Sequence, residues 1–561
     1  MTKDFEQKDN SEAEAQSPQA EGELIKGEQE EAEKFSLVSF CREAVSLLLM
    51  AYLFIIFCMY PFYMQNGYME IGNVKYNFYK DITIGAFALI IPLALICTVF
   101  RAKEKLHKMS FTDWAVLAYG ISVMLSFLFS EYKREGLWGE KGWYMGLITQ
   151  LLFVVSYFLI SRFWEYEGKI LLAFMAAASV VFLLGTLNRF SVFPIEIEGA
   201  NSSFLSTMGN INWYCGYWAV LFPIGFILYW CTDRFPLRLA GLLFTVIGIA
   251  AGVSQGSSSA FIVFAGLYFS VFCLSFQSLE RMKRFFELVF LFGVVCQGLR
   301  LWRIRQPYAF NYYSGTLCDW ITMTRATLGI VAAAAAVYVI LCVAEGKKID
   351  IRQFKILRQA VLLIVTITAG VYFLLLMLNS RVEGGIRFMG NLSFLRFNEQ
   401  WGSARGATWS AGIETYRNMP MARKLVGAGP DCFAMYMYTI PELAKKVAKQ
   451  FSGSRLTNAH NEWLTVLVNN GIFGLLSYAG LFGGTVIRFI YYAEKAMAGR
   501  KKYLYLFGFS AFAYSIHNIV SFQQILSTPF VFLLLGMGER LVREETGVRG
   551  SCLQGNGRGG L

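Results

Sequence analysis

The chain has only three histidines, His107, His460 and His517, so few side chains exchange protons near neutral pH unaided. His460 opens the stretch Ala459-His460-Asn461-Glu462-Trp463-Leu464, which leads into an apolar run, and His517 closes another in Ile516-His517-Asn518. Two histidines at one face of a helical array, beside a basic segment, suit a proton-transfer site. A histidine at a helix end is also commonly structural. His107 sits among Arg101, Lys103, Lys105 and Lys108 and reads as a bystander.

The basic segment is residues 380–459, with eleven Lys and Arg against five Asp and Glu, a net charge of +6. Guanidinium forks match diphosphate oxygens, so the excess suits a diphosphate partner. A patch resting on anionic headgroups fits the composition equally well. Arg405-Gly406-Ala407-Thr408-Trp409 begins a helix expected to reach about Asn418 and to be closed by Pro420. Arg405 and Trp409 share its face. On spacing alone, an interfacial helix with an anchoring tryptophan is the simpler reading. The Gly427-Ala428-Gly429-Pro430 run is a weak phosphate-cradle signal and more often a turn.

These residues are set in an apolar chain. Of 561 residues, 55% are hydrophobic and only 16% charged, with mean hydropathy +0.45. An ordinary soluble protein is about a quarter charged. Apolar runs of bilayer-spanning length recur at roughly 44–64, 82–100, 111–130, 143–161, 170–187, 212–230, 239–254, 258–276, 285–303, 326–344, 359–379, 472–490, 503–521 and 525–541. The expected fold is all-α: a polytopic integral membrane protein of about fourteen transmembrane helices with one large outward-facing loop. A soluble multidomain enzyme, a secreted disulfide scaffold and a disordered hub are excluded.

Lys and Arg concentrate in the loops that follow even-numbered spans, which places both termini in the cytoplasm and the 380–471 loop outside. There it meets neither ATP nor nucleotide sugars. The expected divisions are an acidic, disordered cytoplasmic tail (1–36), N-terminal membrane helices (37–379), the extracytoplasmic loop (380–471), C-terminal membrane helices (472–541) and a cytoplasmic tail (542–561). Residues 1–34 carry a net charge of −7, which leaves +19 on the remainder. That balance suits anionic membrane lipids, and nucleic acid is not an expected partner.

Span interiors hold few charges, which counts against an ion-coupled carrier. The eleven cysteines show no metal-ligand spacing. Cys318 and Cys432 fall in polar loops, as free thiols or as a pair in an oxidising compartment. No Walker loop, HExxH or acidic metal pair occurs in the outward loop, so no metal or cofactor is expected. The Ser257-Ser258-Ser259 cluster lacks a nucleophile elbow and reads as polar packing.

Taken in order, several of these motifs resemble the membrane glycosyltransferase superfamily of O-antigen ligases, O-antigen (Wzy-type) polymerases and related oligosaccharyltransferases. The resemblance covers roughly residues 110–540. It rests on His460, Asn461, Leu464, Gly471 and Gly474; on Arg405 and Trp409; on Pro420, Gly427, Gly429 and Phe433; and on Gly209, Asn210 and Asn212. It implies a metal-independent inverting transferase in a bacterial cytoplasmic (inner) membrane. Such an enzyme moves oligosaccharide from a polyprenyl-diphosphate (undecaprenyl-type) donor to a glycan, lipid or protein acceptor hydroxyl. His460 would be general base and Arg405 would bind the leaving diphosphate. Arg417 and Arg455 are secondary diphosphate candidates from loop charge. Trp409 would stack on sugar or prenyl, and Asn210, Asn212, Asn461 and His517 would contact substrate. The superfamily's Ser-Arg-Gly-like turn is here Val253-Ser254-Gln255-Gly256-Ser257, without arginine, and Arg300 or Arg305 would have to substitute. A glycolipid flippase or exporter, or a non-catalytic scaffold for surface-polysaccharide assembly, is the alternative.

Overall fold

The computed structural model describes residues 37–100, 109–165, 168–311, 317–382, 386 and 392–556. The acidic segment and His107 lie outside the described residues. The chain forms, in order, α1 (Leu37–Phe62), α2 (Ile71–Phe100), α3 (Phe111–Phe129), α4 (Lys133–Trp138), α5 (Leu147–Phe163), α6 (Lys169–Arg189), α7 (Ile211–Cys231), α8 (Phe235–Ser254), α9 (Ser258–Ser275), α10 (Leu279–Arg305), α11 (Leu317–Met323), α12 (Ala326–Gly346) and α13 (Lys355–Arg381), of which all but the short α4 and α11 are apolar runs. The polar segment forms α14 (Trp401–Asn418), α15 (Met421–Val426), α16 (Phe433–Met437) and α17 (Pro441–Gln450). The chain ends with α18 (Glu462–Ala479), α19 (Thr485–Lys495), α20 (Ala498–His517) and α21 (Thr528–Asn556). Among the described residues, one hairpin of two-residue strands, β1 (Phe204–Leu205) with β2 (Gly209–Asn210), precedes α7.

The protein is an all-α polytopic membrane protein. Among the described residues, eleven helical segments are long and apolar enough to cross a bilayer, with α18 and α19 forming one continuous segment. The shorter α5, together with α20 and α21, coincides with the other expected spans.

α7 is the centre. Its most apolar window is 89% buried, and it is hydrophobic on every face, as a helix enclosed by other helices must be. It packs chiefly on α8 and α20, while α21 lies against α5. Polar side chains join neighbours inside the bundle. Tyr119 donates to Gln150 Oε1 (3.0 Å), and Gln150 Nε2 donates to Gln523 Oε1 (2.8 Å). α12 and α13 sit at the edge, only 11% and 6% buried over their apolar windows.

Two departures from the sequence reading have local causes. α2 starts at Ile71 rather than near residue 82, and Lys75, expected in a loop, is buried in it. The last turns of α1 are π- and 3-10-wound, and Lys75 Nζ donates to the carbonyls of Tyr60 (3.0 Å) and Pro61 (2.8 Å) there. The other departure is α18, which begins ten residues before the expected span and breaks at Gly471 (φ +68°).

Residues 401–459 are a helical cap with a core of its own. Ala411, Met419, Cys432, Phe433, Met437 and Leu443 pack together there, and Val468 of α18 joins them. This cap positions the site. Cys318 and Cys432 are both buried free thiols.

Candidate functional site

Arg405 begins the regular part of α14. The preceding Gly402, Ser403 and Ala404 hold left-handed backbone (φ +61°, +59° and +67°), which L side chains adopt at a cost. The bend turns the guanidinium inward. Its Nε donates to Val520 O (3.0 Å) and its Nη1 to Gly402 O (2.9 Å). No described carboxylate forms an ion pair with it.

His460 is held by its own neighbours. Its backbone is left-handed (φ +49°), and its N–H donates to Asn458 Oδ1 (2.9 Å). Asn461 caps α18 by accepting from Leu464 N (3.1 Å), worth about 1 kcal/mol at such a position. The imidazole stands edge-on to Phe522 at 5.1 Å. Burial, then the nearby Arg405 charge, pull its pKa down to about 4, so the ring is neutral at pH 7. Burial also lowers the Arg405 pKa.

Arg405 and His460 line one cavity of about 250 Å³ with Thr408, Asn212, Ser257 and Ser258. The wall is thus one cation, one neutral imidazole and a fringe of hydroxyl and amide groups. Such a wall offers an anion a guanidinium and offers a hydroxyl a proton acceptor.

Several expected residues stand elsewhere. Asn210 spends its side chain capping α7, where it accepts from Asn212 N (2.9 Å). Trp409 packs edge-on to Trp401 at 5.3 Å and does not line the cavity. Arg417 is exposed, about 18 Å further along α14 at 1.5 Å per residue. Arg455 pairs with Glu140 (3.2 Å) and lies over the Tyr438 ring at 5.8 Å. His517 is buried behind Gly216 of α7, where a Cβ would meet its Nε2 at 3.3 Å. Neither of its ring nitrogens has a hydrogen-bond partner. It does not line the cavity.

The amides of the Gly427-Ala428-Gly429 run are all engaged within the protein, that of Gly427 on Arg423 O (2.7 Å). Those of Ala428 and Gly429 donate to the carbonyls of Val468 and Asn469 (both 3.0 Å), which the break at Gly471 leaves without helical partners. Cβ atoms at Gly427 and Gly471 would fall 2.1 Å from Asn469 O and 2.3 Å from Leu425 O. Both positions therefore require glycine.

Sequence reasoning missed Arg189. It is fully buried at the end of α6 and donates to Ser254 O (3.1 Å), Gln255 O (2.5 Å) and Ser202 O (2.8 Å). It supports from behind the arginine-free turn that puts Ser257 and Ser258 in the wall. Neither Arg300 nor Arg305 lines the cavity. The signal was an arginine ending an otherwise apolar run.

Residues 315–479 match the family model described as O-antigen ligase. The likeness is confined to this segment, 165 of the 561 residues. No curated protein matches the chain. The matched segment supplies Arg405, Thr408 and His460, whereas Asn212, Ser257 and Ser258 precede it in the chain.

Proposed function

We propose that the protein transfers or polymerises oligosaccharide from a polyprenyl-diphosphate carrier onto an acceptor hydroxyl at the outer face of the membrane, in surface-polysaccharide assembly. The observation that carries this reading is the shared cavity, in which an arginine with no carboxylate partner among the described residues faces the same space as a neutral histidine. The acceptor oxygen attacks the anomeric carbon while the bond from that carbon to the diphosphate oxygen breaks. His460 takes the hydroxyl proton, the diphosphate leaves with the bonding electron pair, and attack from the opposite face inverts the anomeric centre. Arg405 holds the charge that develops on the departing oxygens, and its fork geometry suits that role better than a lysine would. Asn212, Ser257 and Ser258 orient sugar hydroxyls. No metal takes part in this scheme.

The experiment is replacement of His460 or Arg405 by Ala in the native host, with membrane levels matched to the parent. Loss of surface polymer with carrier-linked precursor trapped on the outer leaflet is the expected result. Normal polymer from both variants overturns the proposal, and precursor trapped on the cytoplasmic leaflet favours a flippase instead.

A further inference from the structure

A second and larger recess lies at the other end of the bundle. α20 carries Lys501 near its start and His517 at its end, about 24 Å apart at 1.5 Å per residue. Lys501 lines a cavity of about 630 Å³ with Arg281, Arg352, Lys355, Arg358 and Glu494. Five cations and one carboxylate therefore converge on a single space, assembled from the start of α10, the turn before α13 and the α19–α20 corner.

The single acid is already shared. Glu494 lies 3.7 Å from Arg281 Nη1 and 3.4 Å from Lys501 Nζ. Arg281 is also fixed in place, with its guanidinium stacked over the rings of Trp230 (5.0 Å) and Tyr505 (5.5 Å). Arg352 Nε is spent on the carbonyl of Gln277 (3.1 Å). No described acid forms an ion pair with Arg352, Lys355 or Arg358, and Arg358 Nε is buried without a hydrogen-bond partner. Like charges crowded around one hollow repel each other unless an anion occupies it. Phosphate oxygens accept from guanidinium pairs in a way that chloride does not.

We propose that this recess binds a phosphate-bearing anion, at a site separate from the Arg405–His460 cavity. Its volume suits a diphosphate or a phospholipid headgroup rather than a lone ion. Either a membrane phospholipid or a soluble phosphate compound presents the required chemistry.

The test uses the purified full-length protein in detergent. Native mass spectrometry measures retention of cardiolipin, with phosphatidylcholine as the uncharged control, and thermal unfolding is followed against inorganic pyrophosphate. The variants are Arg352→Gln, at an exposed position, and the double variant Arg352→Gln/Arg358→Gln. Retention of cardiolipin that falls at least fivefold in the double variant identifies a lipid source. A pyrophosphate-dependent rise in unfolding temperature that both variants reduce identifies a soluble one. Binding of both probes that neither variant changes, or binding of neither probe by the parent, overturns the proposal. A double variant that elutes as aggregate leaves the single variant to decide by the same readouts. Polymer production does not enter these measurements, so this site and the glycosyltransferase reading stand or fall apart.

Discussion

Arg405 and His460 border the same cavity with no described carboxylate paired to the arginine, and after burial the guanidinium charge is what depresses proton uptake by the imidazole. A diphosphate bound there would reverse the local sign. Titration of ring-labelled histidine by NMR should place His460 near pH 4 in the free protein, rising when pyrophosphate is added. Arg405→Gln should raise the free value. Three histidines make assignment by single replacement practical. A titration indifferent to both pyrophosphate and Arg405 would separate the two residues functionally.

Chemistry at the two positions should fail in different ways. His460→Ala removes a proton acceptor and should cost about 10²–10⁴-fold in turnover. Arg405→Lys keeps the charge but loses the fork, and Arg405→Ala should cost about 10²–10³-fold. A cell-free assay with lipid-linked donor measures both. Equal rates for Arg405→Lys and the parent would show that only the charge counts.

Arg417 and Arg455 separate loop charge from site charge. Arg417→Ala should leave transfer within about twofold, because the side chain is exposed and remote from the cavity. Arg455→Ala leaves the buried Glu140 carboxylate without its partner and should cost about 1–3 kcal/mol of stability while leaving transfer intact. A large loss of transfer from Arg417→Ala, with normal membrane levels, would require a second diphosphate contact.

Asp431 should make stability depend on pH. Burial pushes its pKa up to about 7, against the backbone amides of Glu140 (2.8 Å) and Met145 (3.0 Å) that donate to it. The unfolded carboxyl titrates near pH 4, so between about pH 4 and pH 7 the folded state holds the extra proton and stability falls as pH rises. Asp431→Asn keeps an acceptor for both amides without the charge. It should match the parent near pH 4 and exceed it at pH 8, by no more than about 4 kcal/mol at 1.36 kcal/mol per pKa unit. Thermal unfolding in detergent across that range checks this, and parallel curves for the two proteins would refute it.

Gly471→Ala and Gly427→Ala should each destabilise the cap by about 1–3 kcal/mol, since both positions are left-handed and pressed against carbonyl oxygens. Limited proteolysis of residues 420–460 measures the loosening. Unchanged cleavage would mean that the backbone relaxes at no cost.

The helices were legible because bilayer-length apolar runs are the strongest signal a sequence carries. The regular part of α14 from Arg405 and its end before Pro420 also followed from local rules. Burial of Lys75 did not, because it depends on carbonyls that an irregular helix end frees 14 or 15 residues earlier. At the site, His460 and Arg405 stood out by type and order. Ser257 and Ser258 read as packing because only the fold brings their turn opposite α14. Arg189 stood at the end of an apolar run, but its role was not legible for a related reason: its acceptors Ser254 and Gln255 lie more than 60 residues away.

α13 gives the molecule a seam. It packs chiefly on the short turns at its two ends, Ile351–Phe354 and Ser393–Leu395, and buries only Leu376 and Asn379 along its length. Acyl chains rather than side chains must then fill the space along its flanks. The bilayer is in this sense a packing layer of the protein, and its chain length and fluidity set how α13 stands relative to the bundle. Stripping native lipid should disturb that helix before it disturbs α7.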